Sequence, residues 1–111
     1  MNWIQLTNLA QLNELAETSL DKAVILFKHS TRCSVSRMAL KQFENEFNCE
    51  PHLLDAYFLD LIAYRDISNE ITTRFAVVHQ SPQLLLIKNN IAVYTVSHSD
   101  IDAAALINQL T

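Results

Sequence analysis

Two runs with no polar residue, 23–27 and 84–87, do most to limit what this chain can become. Both fall far short of the roughly 20 apolar residues that cross a membrane. Residues 23–28, bounded by charge, read as a central strand buried on both faces, which requires helices packed on each side. Those helices are available. Leu9, Leu12, Leu15, Ala16 and Leu20 recur at helical spacing in a segment that Thr7 opens.

From Cys33 to about Asn48 a second helix is expected, with Val35, Met38, Ala39, Phe43 and Phe47 as its apolar stripe. Pro51 lies just beyond its end. Residues 57–61 read as another central strand, and Asp66 as the cap of a short helix carrying Ile67, Ile71 and Phe75. Residues 83–88 and 91–97 form two strands around Asn89–Asn90, before a last helix capped by Ser99 with Ile101, Leu106, Ile107 and Leu110. A parallel half followed by an antiparallel half, with helices for both faces, indicates an α/β sandwich on a mixed sheet.

The chain contains no glycine. Phosphate-cradling loops and dinucleotide fingerprints depend on glycine, so nucleotide binding of those kinds is excluded. Turns must use Asn, which tolerates left-handed backbone. With 111 residues, half of them apolar, one domain can bury a core without staples. Eight basic and twelve acidic residues leave a net charge of −4, which argues against nucleic acid or an anionic membrane as the main partner. The first residues lack the basic start and apolar stretch of a secretory signal, so a cytoplasmic location with free thiols is expected.

Cys33 stands where the first apolar strand gives way to the amphipathic helix, in His29-Ser30-Thr31-Arg32-Cys33-Ser34-Val35-Ser36. A thiol at a helix N-terminus faces unpaired N–H groups and the positive end of the macrodipole, a field that favours the thiolate. Arg32 adds a neighbouring cation. Three residues on, where a dithiol protein carries its second sulfur, stands Ser36, so no local disulfide can close. The other cysteine, Cys49, falls sixteen residues away on the same expected helix. At about 1.5 Å rise per residue that is roughly 24 Å, beyond the ~7 Å Cα limit of a disulfide. Cys33 can only trade sulfur with another molecule, and Cys49 reads as a small core residue.

These residues resemble the thioredoxin-like superfamily, in which the nucleophilic cysteine follows a buried strand and a cis-proline precedes the hairpin; Ser81-Pro82 holds the second landmark. Within it, the octapeptide around Cys33, in a chain of this length, is similar to the bacillithiol-system monothiol bacilliredoxins (YtxJ-type). The likeness covers nearly the whole chain. It implies a single thioredoxin-like domain over residues 1–111, with a mixed four- to five-stranded sheet flanked by helices on both faces. It further implies that Cys33 takes a bacillithiol group from mixed disulfides on client proteins. Bacillithiol is then a co-substrate, and no cofactor is tightly bound. The buried aspartate that serves the second cysteine of thioredoxins is replaced by Phe27, as suits a single thiol.

Around Cys33, the Ser36 hydroxyl can donate to the thiolate or bond an upstream backbone carbonyl. Arg32 can raise the thiolate fraction or hold a carboxylate of an incoming thiol, for which the malate group of bacillithiol is suited. Arg37, at i+4, shares that face, and Thr31 belongs to the same polar flank. The resemblance makes Pro82 cis, with Ser81 presenting backbone to a bound peptide or thiol.

Three other readings stay open. Cys33-Ser34-Val35-Ser36-Arg37 also resembles the Cys-x-x-Ser-Arg segment of glutaredoxin-coupled arsenate reductases, although only Arg65 and Arg74 are then left, outside the loop, for the oxyanion. Monothiol glutaredoxins share Cys-x-x-Ser and bind iron–sulfur clusters as dimers, but their glycine–phenylalanine pair is missing. A non-catalytic interaction or redox-sensing module keeps the fold without turnover. His29, His52, His79 and His98 form no metal spacing with either cysteine.

Overall fold

The computed structural model describes residues 1–48 and 50–110, so Cys49 and the expectations placed on it lie outside the described residues. In chain order the elements are β1 (Trp3–Gln5), α1 (Ala10–Thr18), β2 (Ala23–His29), α2 (Ser34–Glu46), β3 (Leu54–Asp60), α3 (Arg65–Phe75), β4 (Gln83–Lys88), β5 (Ile91–Ser97) and α4 (Ala103–Asn108), with 3₁₀ turns at Pro51–Leu53 and His98–Asp100. The sheet runs β1-β3-β2-β4-β5. β1, β3 and β2 are parallel, whereas β4 is antiparallel to β2 and β5 to β4.

β2 lies at the centre, and its side chains alternate between two cores as strand geometry requires. Val24 and Leu26 join Leu12, Leu15, Ile67, Ile71 and Phe75 under α1 and α3. Ile25 and Phe27 join Phe43, Leu84, Leu86, Ala103 and Leu106 under α2 and α4. The same alternation sends Lys28 to the α1/α3 face and His29 to the α2/α4 face, and both are buried.

The Asn89–Asn90 turn has positive φ at both residues, 52° and 61°, as a type I′ hairpin demands. It is pinned to the end of α1, where Ser19 accepts from Asn89 N–H through its carbonyl (2.7 Å) and from Asn90 N–H through Oγ (2.8 Å). Ala76 closes α3 in the left-handed region at φ 53°, the place a glycine would commonly hold.

Several local expectations are corrected. β1 is an additional edge strand, anchored by Trp3, whose Nε1 donates to Glu44 Oε2 at 2.7 Å. α1 begins at Ala10, with Asn8 Oδ1 accepting from Gln11 N–H, and Leu9 and Leu20 stay exposed. On α2 the buried side chains are Ser36 and Phe43, whereas Val35 and Met38 are 51% and 72% exposed. Asp66 sits inside the first turn of α3, and Asp60 holds the preceding turn by accepting from Ile62 N–H at 3.1 Å. The cap of α4 is Asp102, accepting from Ala105 N–H, and Ser99 belongs to the 3₁₀ turn before it. No helix among the described residues is long and apolar enough to cross a membrane.

Candidate functional site

β2 delivers the chain to one end of the sheet, and residues 30–33 turn it into α2. Cys33 N–H bonds Ser30 C=O at 3.2 Å, and Cys33 C=O accepts the first helical bond from Arg37 N–H at 3.1 Å. Cys33 is therefore the N-cap of a 13-residue helix, in extended conformation (φ −109°, ψ 122°). Its side chain makes no capping bond, and the thiol is free and partly exposed. Thr31, Arg32, Ser34 and Val35 around it are exposed.

The residue three positions on serves the scaffold. Ser36 is fully buried, and its Oγ accepts from Ser30 N–H at 3.1 Å while lying 2.7 Å from His29 Nδ1. The hydroxyl thus faces the strand end and the turn, and not the thiol or a backbone carbonyl. Burial holds His29 below its ordinary value; the Arg37 charge acts the same way, against Asp60 and Glu44. With the imidazole neutral, Ser36 Oγ–H donating to Nδ1 satisfies all three groups. His29 also packs its ring 5.4 Å from Phe58. Arg37 reaches back along the outside of the turn, its Nη1 donating to Thr31 C=O at 3.1 Å. The turn bearing Cys33 is thus held from inside by His29 and Ser36 and from outside by Arg37.

Antiparallel register brings the start of β4 to the same end of the sheet, since Lys28 pairs with Gln83. The Ser81–Pro82 bond directly before Gln83 is cis. Pro82 C=O accepts from His98 N–H at 3.0 Å. Ser81 Oγ is buried with no hydrogen-bond partner among the described residues. Arg65 opens α3, whereas Arg74 lies in its last turn, bonded to Asn13 at 2.9 Å. About 1.5 Å per residue puts these two arginines some 13 Å apart along the helix axis.

The sequence reading missed Lys28. Its charge marks the end of the apolar run, but strand alternation places it on the face of Val24 and Leu26. It is fully buried, with Nζ 2.8 Å from His79 Nδ1, and burial pushes its ammonium down to about 8. His79 is held below its ordinary value by desolvation first, then by the Lys28 and Arg65 charges. A lysine in an unfolded chain keeps its proton to 10.5 while the native one releases it near 8. Between those values the unfolded state binds more protons, so stability should rise with pH in that window. Chemical denaturation at pH 7.5 and pH 10 should show this rise in the wild type and lose it in Lys28→Met; equal slopes would contradict it.

A part-exposed thiol on the N-cap residue of the helix that follows a central strand, on a mixed sheet of this order, defines a thioredoxin-like protein of thiol–disulfide redox chemistry. The comparisons agree. A proposed oxidoreductase with a thioredoxin fold is 33% identical, with 95% of this chain and 90% of that one covered and a TM-score of 0.81. Two thioredoxins share the fold at lower identity. That of Malassezia sympodialis (Mala s 13) is 20% identical, covers 98% and 88% of the two chains and has a TM-score of 0.71. That of Fasciola hepatica is 17% identical, covers 96% and 94% and has a TM-score of 0.67. The family described as monothiol bacilliredoxin BrxC matches residues 4–106, and the chain belongs to that family.

Proposed function

We propose that this protein removes a small thiol, bacillithiol, from mixed disulfides on client proteins by way of Cys33. The observation that carries the reading is one reachable thiol at the start of α2, with a buried, hydrogen-bonded Ser36 where a second sulfur would stand. The Cys33 thiolate attacks the small-thiol sulfur of client–S–S–R. The S–S bond of the mixed disulfide breaks, the client leaves as its thiolate, and the Cys33–S–S–R disulfide forms, with no net oxidation or reduction. A second small thiol attacking Cys33–S–S–R then yields R–S–S–R and free Cys33. The cytosol, with its supply of small thiols, is the compartment we assign.

Arg32 and the remaining donors of Arg37 supply positive charge beside the thiol for the malate carboxylates of bacillithiol. Thr31 lines the same rim. Ser81 and Pro82 form the opposing edge against which the client chain lies extended. The test is to incubate the reduced protein with a bacillithiolated client, and in parallel a glutathionylated one, and to follow intact masses. Transfer of the small thiol, faster from the bacillithiolated client, is expected. Clients that keep their adducts at the uncatalysed rate would overturn the proposal.

A further inference from the structure

Residues 76–82 link α3 to β4 without helix or strand of their own, and they lead directly into Ser81–Pro82. Two buried side chains reach this segment from the sheet. Lys28 Nζ bonds His79 Nδ1 at 2.8 Å, and Gln83 Nε2 donates to Val78 C=O at 2.9 Å. Lys28 and Gln83 are direct cross-strand partners, 0% and 3% exposed, on the central strand β2 and its neighbour β4. Between Val77, which packs on the core, and the buried Pro82, the segment is exposed at Val78 (77%) and His79.

A buried lysine is a poor choice for stability alone, because removing an ammonium from water is costly and an apolar side chain of similar length would fill the site. What Lys28 supplies that such a side chain cannot is a donor for His79. We infer that Lys28, with Gln83 beside it, is a positioning residue for the exchange reaction. The pair holds the 78–81 segment in one arrangement before a client arrives, so the ordering is done during folding and not during binding. The inference rests on Ser81–Pro82 being the edge that the client chain meets. Lys28 itself touches neither the client nor the thiol.

The test separates client recognition from the reactivity of Cys33. Rates are measured with a thiolated client protein and with a small symmetrical disulfide, which has no chain to lay along Ser81. In Lys28→Met, KM for the client should rise about five- to tenfold, the effect of one lost hydrogen bond, with kcat and the small-disulfide rate unchanged. Amides 78–81 should exchange hydrogen faster. His79→Leu should reproduce the KM change, and His79→Gln, whose carbonyl can accept from Lys28, should restore it. The two substitutions at His79, an exposed residue, carry the test should Lys28→Met fail to fold. An unchanged client KM, or equal loss with client and small disulfide, would overturn the inference. A wild-type protein inert to both substrates would instead overturn the proposed function.

Discussion

Cys33→Ser is expected to abolish transfer of the small thiol from client proteins, leaving only the uncatalysed exchange. The chemistry allows no substitute, because a serine hydroxyl is not ionised at neutral pH and cannot form the mixed disulfide through which the group passes. Ser36 cannot take over, since it is an oxygen and is tied between His29 and Ser30. The fold should be untouched. Cys33 is partly exposed and makes no capping bond, so stability should stay within about 0.5 kcal/mol of wild type. Matched denaturation curves with a lost transfer rate identify the sulfur as the reactive group; retained transfer would place the chemistry elsewhere.

The largest expected effect on stability comes from Phe43→Ala. Phe43 is 1% exposed and is the main apolar anchor of α2, with its ring 5.9 Å from Phe27, 6.2 Å from Trp3 and 5.1 Å from Phe47. Truncation leaves a cavity between α2 and β2, at a cost of about 3–5 kcal/mol. That is a large share of the 5–15 kcal/mol by which an ordinary domain is stable. Met38→Ala, five residues earlier on the same helix but 72% exposed, should change stability by no more than about 0.5 kcal/mol. Denaturant titration of both variants decides between the two faces of α2, and comparable losses would contradict the observed packing.

That contrast also shows where the sequence could be read and where it could not. The strands at 83–88 and 91–97 and their Asn–Asn turn coincide with β4 and β5, because apolar content, length and turn chemistry all agree there. The stripe of α2 is out of phase for a physical reason. The first turn of this helix presents Val35 to solvent and buries Ser36 against His29, so hydrophobicity and burial part company around the thiol. β1 is three residues long and has no period to detect; its pairing comes from β3 and from the Trp3–Glu44 bond. Both misplaced caps have a competing aspartate nearby, Asp60 six residues before Asp66 and Asp102 three residues after Ser99, and those aspartates make the bonds to backbone N–H. Cys33 was legible from its place between strand and helix. Lys28, His29 and His79 were not, since each becomes informative only when strand alternation and the antiparallel register set its neighbours.

The account stands on one sulfur, at the head of α2, carrying a small thiol as a mixed disulfide. The most direct measurement is peptide mapping of the wild-type protein after brief reaction with a bacillithiolated client and quenching in acid. The expected result is one bacillithiol mass on the peptide containing Cys33 and none on the peptide containing Cys49. An adduct confined to Cys49, or a client that retains its full load while Cys33 stays reduced, would contradict the account.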